Sequence, residues 1–196
     1  MDLTTEVGLE RIQRAAALQM LEKLNAAIDQ QNANWSARDA AYFAAFGVPD
    51  PGFEVQHIDP ANIHSGTIPS LLQSGPEEFP NCCCIAYIGQ PVRTDSDWSE
   101  TYYVNLNIEF MVNAATEEEC NARIQRTLEA GHQVLISEEA RRLPELDGNN
   151  LVMPIQGSPR IGVSELFARH PNNDPNRRFF WQGGTLTYTV EKIASY

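Results

Sequence analysis

The stretch TYYVNLNIEFMVN, residues 101–113, decides the fold of this chain. Apolar side chains occupy every second position along it: Tyr102, Val104, Leu106, Ile108, Phe110 and Val112. Successive side chains of a strand point to opposite faces, so the interleaved Asn105, Asn107 and Glu109 lie on the other side. One apolar face and one largely polar face predict an antiparallel sheet that is covered on one side only.

The segments next to this strand supply its first neighbours. Residues 82–88 predict a preceding strand, and a polar connection at 89–100 joins the two. After the strand, Thr116 and Glu119 form a capping box, a pattern that opens a helix by bonding its first free N–H groups. We expect this helix to run to about residue 142. Its inner stripe consists of Ile124, Leu128, Gly131 and Leu135.

Three further strands are expected towards the end of the chain. Residues 151–155 and 161–168 each predict one, separated by a turn that contains Gly157, Ser158 and Pro159. The final strand is the clearest of them, because apolar and polar residues alternate along it. Its inward side chains are Leu186, Tyr188 and Val190. Strands grouped around one long helix are typical of an α+β layer.

The first part of the chain predicts helices followed by an irregular arm. Residues 5–31 carry a helical stripe, and a second helix is expected at 36–45, where Ser36 could cap. Residues 47–81 are rich in proline and glycine, so they predict a turn-rich arm that either forms an interface or lies on the core. We therefore predict a single α+β domain, residues 1–196, with an antiparallel sheet packed against helices. Its parts are N-terminal helices at 1–46, the extended arm at 47–81 and a sheet-and-helix core at 82–196.

The charge of the chain argues against nucleic acid as a tightly bound partner. With 26 acidic and 14 basic side chains, the formal net charge is −12. Such a charge repels phosphates at long range, although DNA could still pass an acidic surface without adhering to it. No apolar run approaches membrane-spanning length, and the first residues lack the order of a signal peptide. We therefore expect no membrane partner and action without export.

The sequence contains no motif for catalysis, nucleotide binding or metal binding. The patterns G-x-x-x-x-G-K-[ST], G-x-G-x-x-G after a strand and G-x-S-x-G are all absent. His57 and His64 lie near Asp59, but their spacing matches no established ligand pattern. The adjacent cysteines at 82–84 and the distant Cys120 predict buried thiols rather than a zinc site or a disulfide framework. We predict no catalytic residue, no cofactor and no metal.

The most unusual local composition is RHPNNDPNRRFFW, residues 169–181. We call its last five residues the aromatic run: Arg177, Arg178, Phe179, Phe180 and Trp181. Arginine and aromatic side chains are enriched in the buried anchors of protein interfaces, so the aromatic run is our candidate interface. Adjacent residues of a strand cannot all face one core, so either Phe180 or its two neighbours should point away from it. Packing under a helix or the arm, and stacking on nucleic acid, are the alternatives.

The order of these parts matches a known pattern. The matching parts are the N-terminal helix, PEEFPNCCCIAYIG, YYVNLNIEFMVN, ATEEECNARIQRTLEAGHQVL and the closing TLTYTVEKI. In this order the chain resembles the tail terminator proteins, or tail completion and neck proteins, of long-tailed bacteriophages. The resemblance covers most of the chain and is one of pattern, since the family has no invariant motif.

The resemblance implies a structural virion protein with no enzymatic activity and no cofactor. It implies a homo-hexameric ring at the head–tail junction, assembled from subunits made in the host cytoplasm. The ring would contact the tail-tube protein on one side and a connector or stopper protein on the other. DNA would pass through the lumen without specific binding, which suits acidic side chains along that lumen.

Three other functions remain open from the sequence. A different neck, connector or minor structural subunit of the same virion would share these traits and would differ in ring stoichiometry and partners. A cellular adaptor with helices on a sheet would be a monomer or dimer in solution. An unrecognised enzyme would need a concave pocket with convergent titratable groups, and the histidines of the arm are the place to look for it.

Overall fold

A computed structural model describes residues 9–66, 81–95, 99–136, 142–143, 153–169 and 179–195. Within them, the helices are α1, Leu9–Phe46, and α2, Glu117–Ile136, and a single 3-10 turn covers Pro60–Asn62. The strands are β1, Ile63–Ser65; β2, Cys82–Asp95; β3, Ser99–Ala114; β4, Arg142–Leu143; β5, Met153–Val163; β6, Phe167–Arg169; and β7, Phe179–Ser195.

The strands form one sheet whose centre is the pair β3 and β7. The described strands follow the order β1-β2-β3-β7-β5-β4, and β6 also pairs with β7. Every pairing is antiparallel except that of β1 with β2. The register of β3 and β7 is unbroken from Ser99 opposite Ser195 to Ala114 opposite Phe180. The mostly antiparallel sheet and the two helices confirm the predicted α+β fold.

Both helices pack on the apolar face of this sheet. The buried core combines three sets of side chains: Val104, Leu106, Ile108 and Phe110 from β3; Ala16, Met20, Leu24 and Ile28 from α1; and Ile124, Leu128 and Leu135 from α2. The alternation of β3 predicted this face. Gly131 allows α2 to approach the sheet closely, since a Cβ there would lie 2.5 Å from the ring of Phe110.

The capping box is present at the start of α2. The Thr116 hydroxyl accepts a hydrogen bond from the Glu119 backbone N–H at 3.2 Å. The described part of the helix runs to Ile136, and residues 137–141 lie outside the described part of the chain. Arg142, the last residue of the predicted helix, belongs to β4 instead.

The prediction of two N-terminal helices is wrong, because α1 is one helix of 38 residues. Between Gly8 and Gly47 the chain has no glycine or proline, so nothing forces a break at 32–35. The polar residues that interrupt the apolar stripe, including Asn32 and Ser36, lie within the helix. Asn32 uses its side chain to bind the arm rather than to end the helix.

The described part of the arm lies along α1. Val55 and Ile58 are buried. The backbone N–H and C=O of each are hydrogen-bonded to the side-chain amide of one asparagine of α1. The Asn32 side chain donates to the Val55 carbonyl at 2.9 Å and accepts from the Val55 N–H at 3.0 Å. The Asn25 side chain makes the same two bonds with Ile58, each at 3.0 Å. Residues 53–66 therefore pack on the core, which is one of the two predictions made for the arm. Residues 67–80 lie outside the described part.

Two predicted breaks in the sheet are absent. The connection expected at 89–100 is largely strand, since β2 continues to Asp95 and β3 begins at Ser99. A register shift between Ile88 and Val92 accommodates Pro91, which cannot donate a ladder hydrogen bond. In β5 a second shift, between Gln156 and Arg160, takes up the glycine–proline segment and joins the first expected strand to the start of the second. The strand expected at 161–168 is itself interrupted at 164–166, and its end belongs to β6.

Candidate functional site

The structure divides the aromatic run between two faces of the sheet. Phe180 is half-buried and packs against the core, in register with Ala114 of β3. Trp181 lies in register with Asn113, on the face opposite the helices. The prediction that neighbouring aromatics point to opposite sides is confirmed for this pair. Phe179 begins β7, and Arg177 and Arg178 lie outside the described residues.

The face of the sheet opposite the helices carries a ladder of polar side chains. The Thr187 hydroxyl donates to the Asn107 side-chain oxygen at 2.9 Å, and the Thr189 hydroxyl donates to Asn105 at 3.1 Å. Asn107 in turn donates to the Glu109 carboxylate at 2.9 Å. The two threonine bonds cross between β7 and β3, and the third lies within β3. Together they pair these polar groups locally, so the ladder is a structural feature of the sheet.

A shallow depression of about 390 Å³ lies at one end of this polar face. Its polar side chains are Glu109, Ser164 and Thr185, and Phe110, Gly162, Val163, Gly183 and Gly184 complete the lining. Val163 and Gly184 face the helix side of the sheet, so the depression reaches the edge of β5. The Ser164 hydroxyl already accepts from the Gly183 N–H at 3.0 Å and donates to the Glu165 carbonyl at 3.0 Å. Among the described residues that line the depression, one is a carboxylate and none is a histidine or cysteine.

The histidines of the described residues make structural contacts. His57 pairs with Asp29 at 2.6 Å on the surface, and His64 lies on β1. His132 bonds the Tyr188 hydroxyl at 2.8 Å, and burial lowers the pKa of its imidazole. No group of three or more histidine, cysteine or acidic side chains in the described part of the chain could hold a metal ion.

The four cysteines are buried and unpaired, as the sequence predicted. Burial raises the pKa of the Cys83 thiol, and burial raises that of Cys120 to about 11. A hydrogen bond with Cys82 and burial both raise the pKa of the Cys84 thiol. The nucleophilic form of cysteine is the thiolate, so these pKa values describe unreactive core thiols.

The arginine Arg126 anchors the second half of α1 to the rest of the domain. Its guanidinium donates to the Asp39 carboxylate and to the Phe53 carbonyl, and it lies 4.9 Å from the centre of the Trp35 ring. Only 8% of the Arg126 side chain is exposed, so the ion pair with Asp39 is shielded from water. A cation between a carboxylate and an aromatic face is a stable arrangement, and it fixes the direction of this half of the helix.

Beyond this anchor, α1 ends in exposed aromatic side chains. Tyr42 is 59% exposed and Phe46 is 67% exposed, and their ring centres are 4.9 Å apart. Val48, just after the helix, is 49% exposed. We call these three residues the aromatic tip. Large apolar side chains that cluster on a surface mark contact sites more often than isolated ones do.

Apolar side chains are also exposed at both edges of the sheet. The strand β4 pairs with β5 only at Met153 and Pro154, so among the described strands Ile161 and Val163 lie on an outer edge. On β5, Ile161 is 64% and Val163 is 49% exposed. At the other edge, a groove of about 330 Å³ lies between α1 and β1. It is lined by Arg14, Ala17, Leu18, Leu21, Pro60, Ile63 and Ser65. The sequence did not identify these positions as surface sites, since an isolated apolar residue on a strand or helix is normally interpreted as a core residue.

The candidate functional site is therefore a set of surfaces rather than a cleft. Among the described residues, no helix is both long enough and apolar enough to cross a membrane. The sequence matches no protein-family model and no curated protein.

Proposed function

We propose that this chain is a structural, non-enzymatic virion subunit that forms a ring at the head–tail junction of a long-tailed bacteriophage. In that ring it ends the tail tube and joins it to the connector. The observation that carries the proposal is the separation of three apolar surfaces on one domain. The aromatic tip, the β5 edge and the groove beside β1 lie on different parts of the described structure. A subunit that binds only one partner does not need three separate apolar surfaces.

A ring within a stack needs two kinds of contact. Each subunit touches its two neighbours laterally, and the ring as a whole touches the rings above and below it. The two sheet edges suit the lateral contacts, because they lie at opposite ends of one sheet. The aromatic tip, at the far end of a 38-residue helix, suits an axial contact with the tail-tube protein or with the connector or stopper protein.

The net charge supports the same function. At −12 per subunit, a ring of several copies carries a large negative charge, which repels DNA that passes through it. We propose that the lumen is lined with acidic side chains and that DNA passes without specific binding. We also propose that the aromatic run takes part in a contact between subunits, with Trp181 as its outward member.

The test combines the oligomeric state with location in the particle. Negative-stain images of the purified protein at increasing concentration should show closed rings, and six-fold averages should outscore other symmetries. Antibody labelling of intact virions should place the protein at the head–tail junction. Labelling on the capsid, the tail shaft or the tail tip would contradict the proposal, and so would the absence of the protein from virions.

A further inference from the structure

The two edges of the sheet present matching apolar features on the same side. On β5, Ile161 lies in register with Leu186 and Val163 with Gly184, so both face the side that the helices cover. They are nevertheless exposed, because neither described helix covers this edge of the sheet. They form an apolar ridge on the helix side of the β5 edge.

The opposite edge carries the groove between α1 and β1. Ile63 of β1 lies in register with Cys83, a core residue, so the groove also opens on the helix side. Leu18 and Leu21 form its α1 wall and are 40% and 43% exposed. The ridge and the groove thus lie at the same level of the domain, at opposite ends of the sheet.

Strand direction allows the two edges to meet. Strands β1 and β2 are parallel, and each of the steps from β2 to β3, β7 and β5 reverses direction. Consequently β5 runs opposite to β1. When one copy continues the sheet of another, β5 therefore lies antiparallel to β1, which is the commoner arrangement of neighbouring strands.

Charged side chains flank both features. Arg160 and Glu165 are exposed on either side of the ridge. Arg14 and Glu22 are exposed beside the groove, on the same helix as Leu18. Lys23 is exposed beside Glu22 as well, so side chains of both signs border the ridge and the groove.

We propose that the apolar ridge of one copy binds in the groove of the next copy. Ile161 and Val163 of one subunit contact Leu18, Leu21 and Ile63 of its neighbour. Because the two surfaces differ, the contact is head-to-tail, and repeated copies close into a ring when the rotation between them allows closure. The inference rests on the proposed ring function and names the surfaces that build the ring.

Cysteine cross-linking tests this contact directly. The native cysteines are buried, so engineered surface cysteines are the thiols that a short bifunctional maleimide reaches first. The double variant Ile161→Cys with Leu18→Cys should give a ladder of dimers, trimers and higher species on a denaturing gel. Each single variant should remain monomeric on the gel, and an equal mixture of the two should stop at dimers.

Matched controls separate this contact from chance collisions. The unaltered chain and the double variant Tyr42→Cys with Leu18→Cys should give no ladder, although Tyr42 is about as exposed as Ile161. Adding Leu18→Asp to a chain with Ile161→Cys and Leu21→Cys should abolish the ladder, because it places a carboxylate in the groove. Circular dichroism melting curves confirm that every variant is folded.

The outcomes distinguish this inference from the proposed function. Rings in images with no ladder would overturn the ridge-and-groove contact and leave the ring in place. Dimers from Ile161→Cys alone would also overturn it, because they indicate that like surfaces meet. A ladder from a protein that forms open filaments, or that is absent from the head–tail junction, would support the contact and contradict the function. A chain that neither cross-links nor assembles would overturn both.

Discussion

The two halves of α1 are stabilised in different ways. In the proximal half, residues 9–28, Ala16, Met20, Leu24 and Ile28 are buried under the sheet. In the distal half, residues 29–46, no side chain is fully buried. That half is held by hydrogen bonds and by the ion pair between Arg126 and Asp39. One continuous helix thus combines a core element with an extension that carries the aromatic tip.

This difference shows how a small domain can extend a contact surface away from its core. The proximal half is stabilised by the burial of apolar area, and this stabilisation does not depend on fine geometry. The distal half depends on a few directional contacts, including the bond of 2.7 Å from Gln31 to Gln133 of α2. Single substitutions should therefore affect the two halves by different mechanisms and by different amounts.

The largest effect of a single substitution on the free energy of unfolding is expected in the proximal half. Leu24→Ala should lower the free energy of unfolding by about 2–5 kcal/mol, because it removes a fully buried side chain and leaves a cavity. Leu21→Ala, one turn away at a position that is 43% exposed, should change it by less than about 1 kcal/mol. Urea denaturation of both variants measures this contrast. Equal losses would contradict the assignment of the proximal half to the core.

The next largest effect concerns the anchor of the distal half. Arg126→Ala should destabilise the protein by about 2–4 kcal/mol, since it leaves the shielded Asp39 carboxylate and the Phe53 carbonyl without their partner. Arg38→Ala is the matched control, because Arg38 also lies over the Trp35 ring, at 5.4 Å, but is exposed. Its effect should be below about 0.5 kcal/mol.

Hydrogen exchange sharpens the Arg126 prediction. In the Arg126→Ala variant, amides of the distal half should exchange faster, while amides around Leu24 keep their protection. Loss of protection along all of α1 would show that the two halves form one cooperative unit. In that case the proximal and distal halves would not differ in how they are stabilised.

A smaller effect is expected at the attachment of the arm. Asn32→Ala should cost about 1–3 kcal/mol, because the Val55 N–H and C=O both lose their side-chain partner. Asn34→Ala, an exposed position two residues on, should be close to neutral. Limited proteolysis within 47–66 provides the second measurement, since a released arm is cut faster. Unchanged cleavage in Asn32→Ala would contradict the clamp.

The smallest effect on stability is expected at the aromatic tip. The double variant Tyr42→Ala with Phe46→Ala should shift the free energy of unfolding by less than about 1 kcal/mol, because both side chains are mostly in water. If the tip makes the axial contact, the same variant should fail to join tails to heads in an assembly assay. Normal joining by the variant would assign the axial contact to another surface.

The sequence predicted the central layer of the fold well and its periphery less well. The alternation of apolar and polar residues along β3 and β7 predicted both the strands and their buried faces, because a period of two residues is typical of a strand with one buried face. The continuity of α1 was missed, because Asn32 and Ser36 favour helix ends in isolation and only tertiary partners keep them inside a helix. The joining of two strands into β5 was missed for a related reason, since a register shift can absorb a glycine–proline segment.

The candidate site was less accessible to sequence reasoning than the fold. The aromatic run was identified from composition, and its division between two faces followed from strand geometry. The ridge at Ile161 and Val163 and the groove at Leu18 and Leu21 were not identified. In the sequence these residues resemble core positions, and their exposure depends on which elements end before they cover the neighbouring edge.

Local patterns in the sequence are enough to predict the α+β class, the apolar face of the sheet, the cap of α2 and the buried state of the cysteines. Each follows from local periodicity or composition, which acts over a few residues. Only the tertiary structure decided that α1 is one helix, that Asn25 and Asn32 hold the arm, and that apolar side chains remain exposed at both edges of the sheet. These features depend on contacts between residues far apart in the chain, and no local pattern encodes which surfaces are left uncovered.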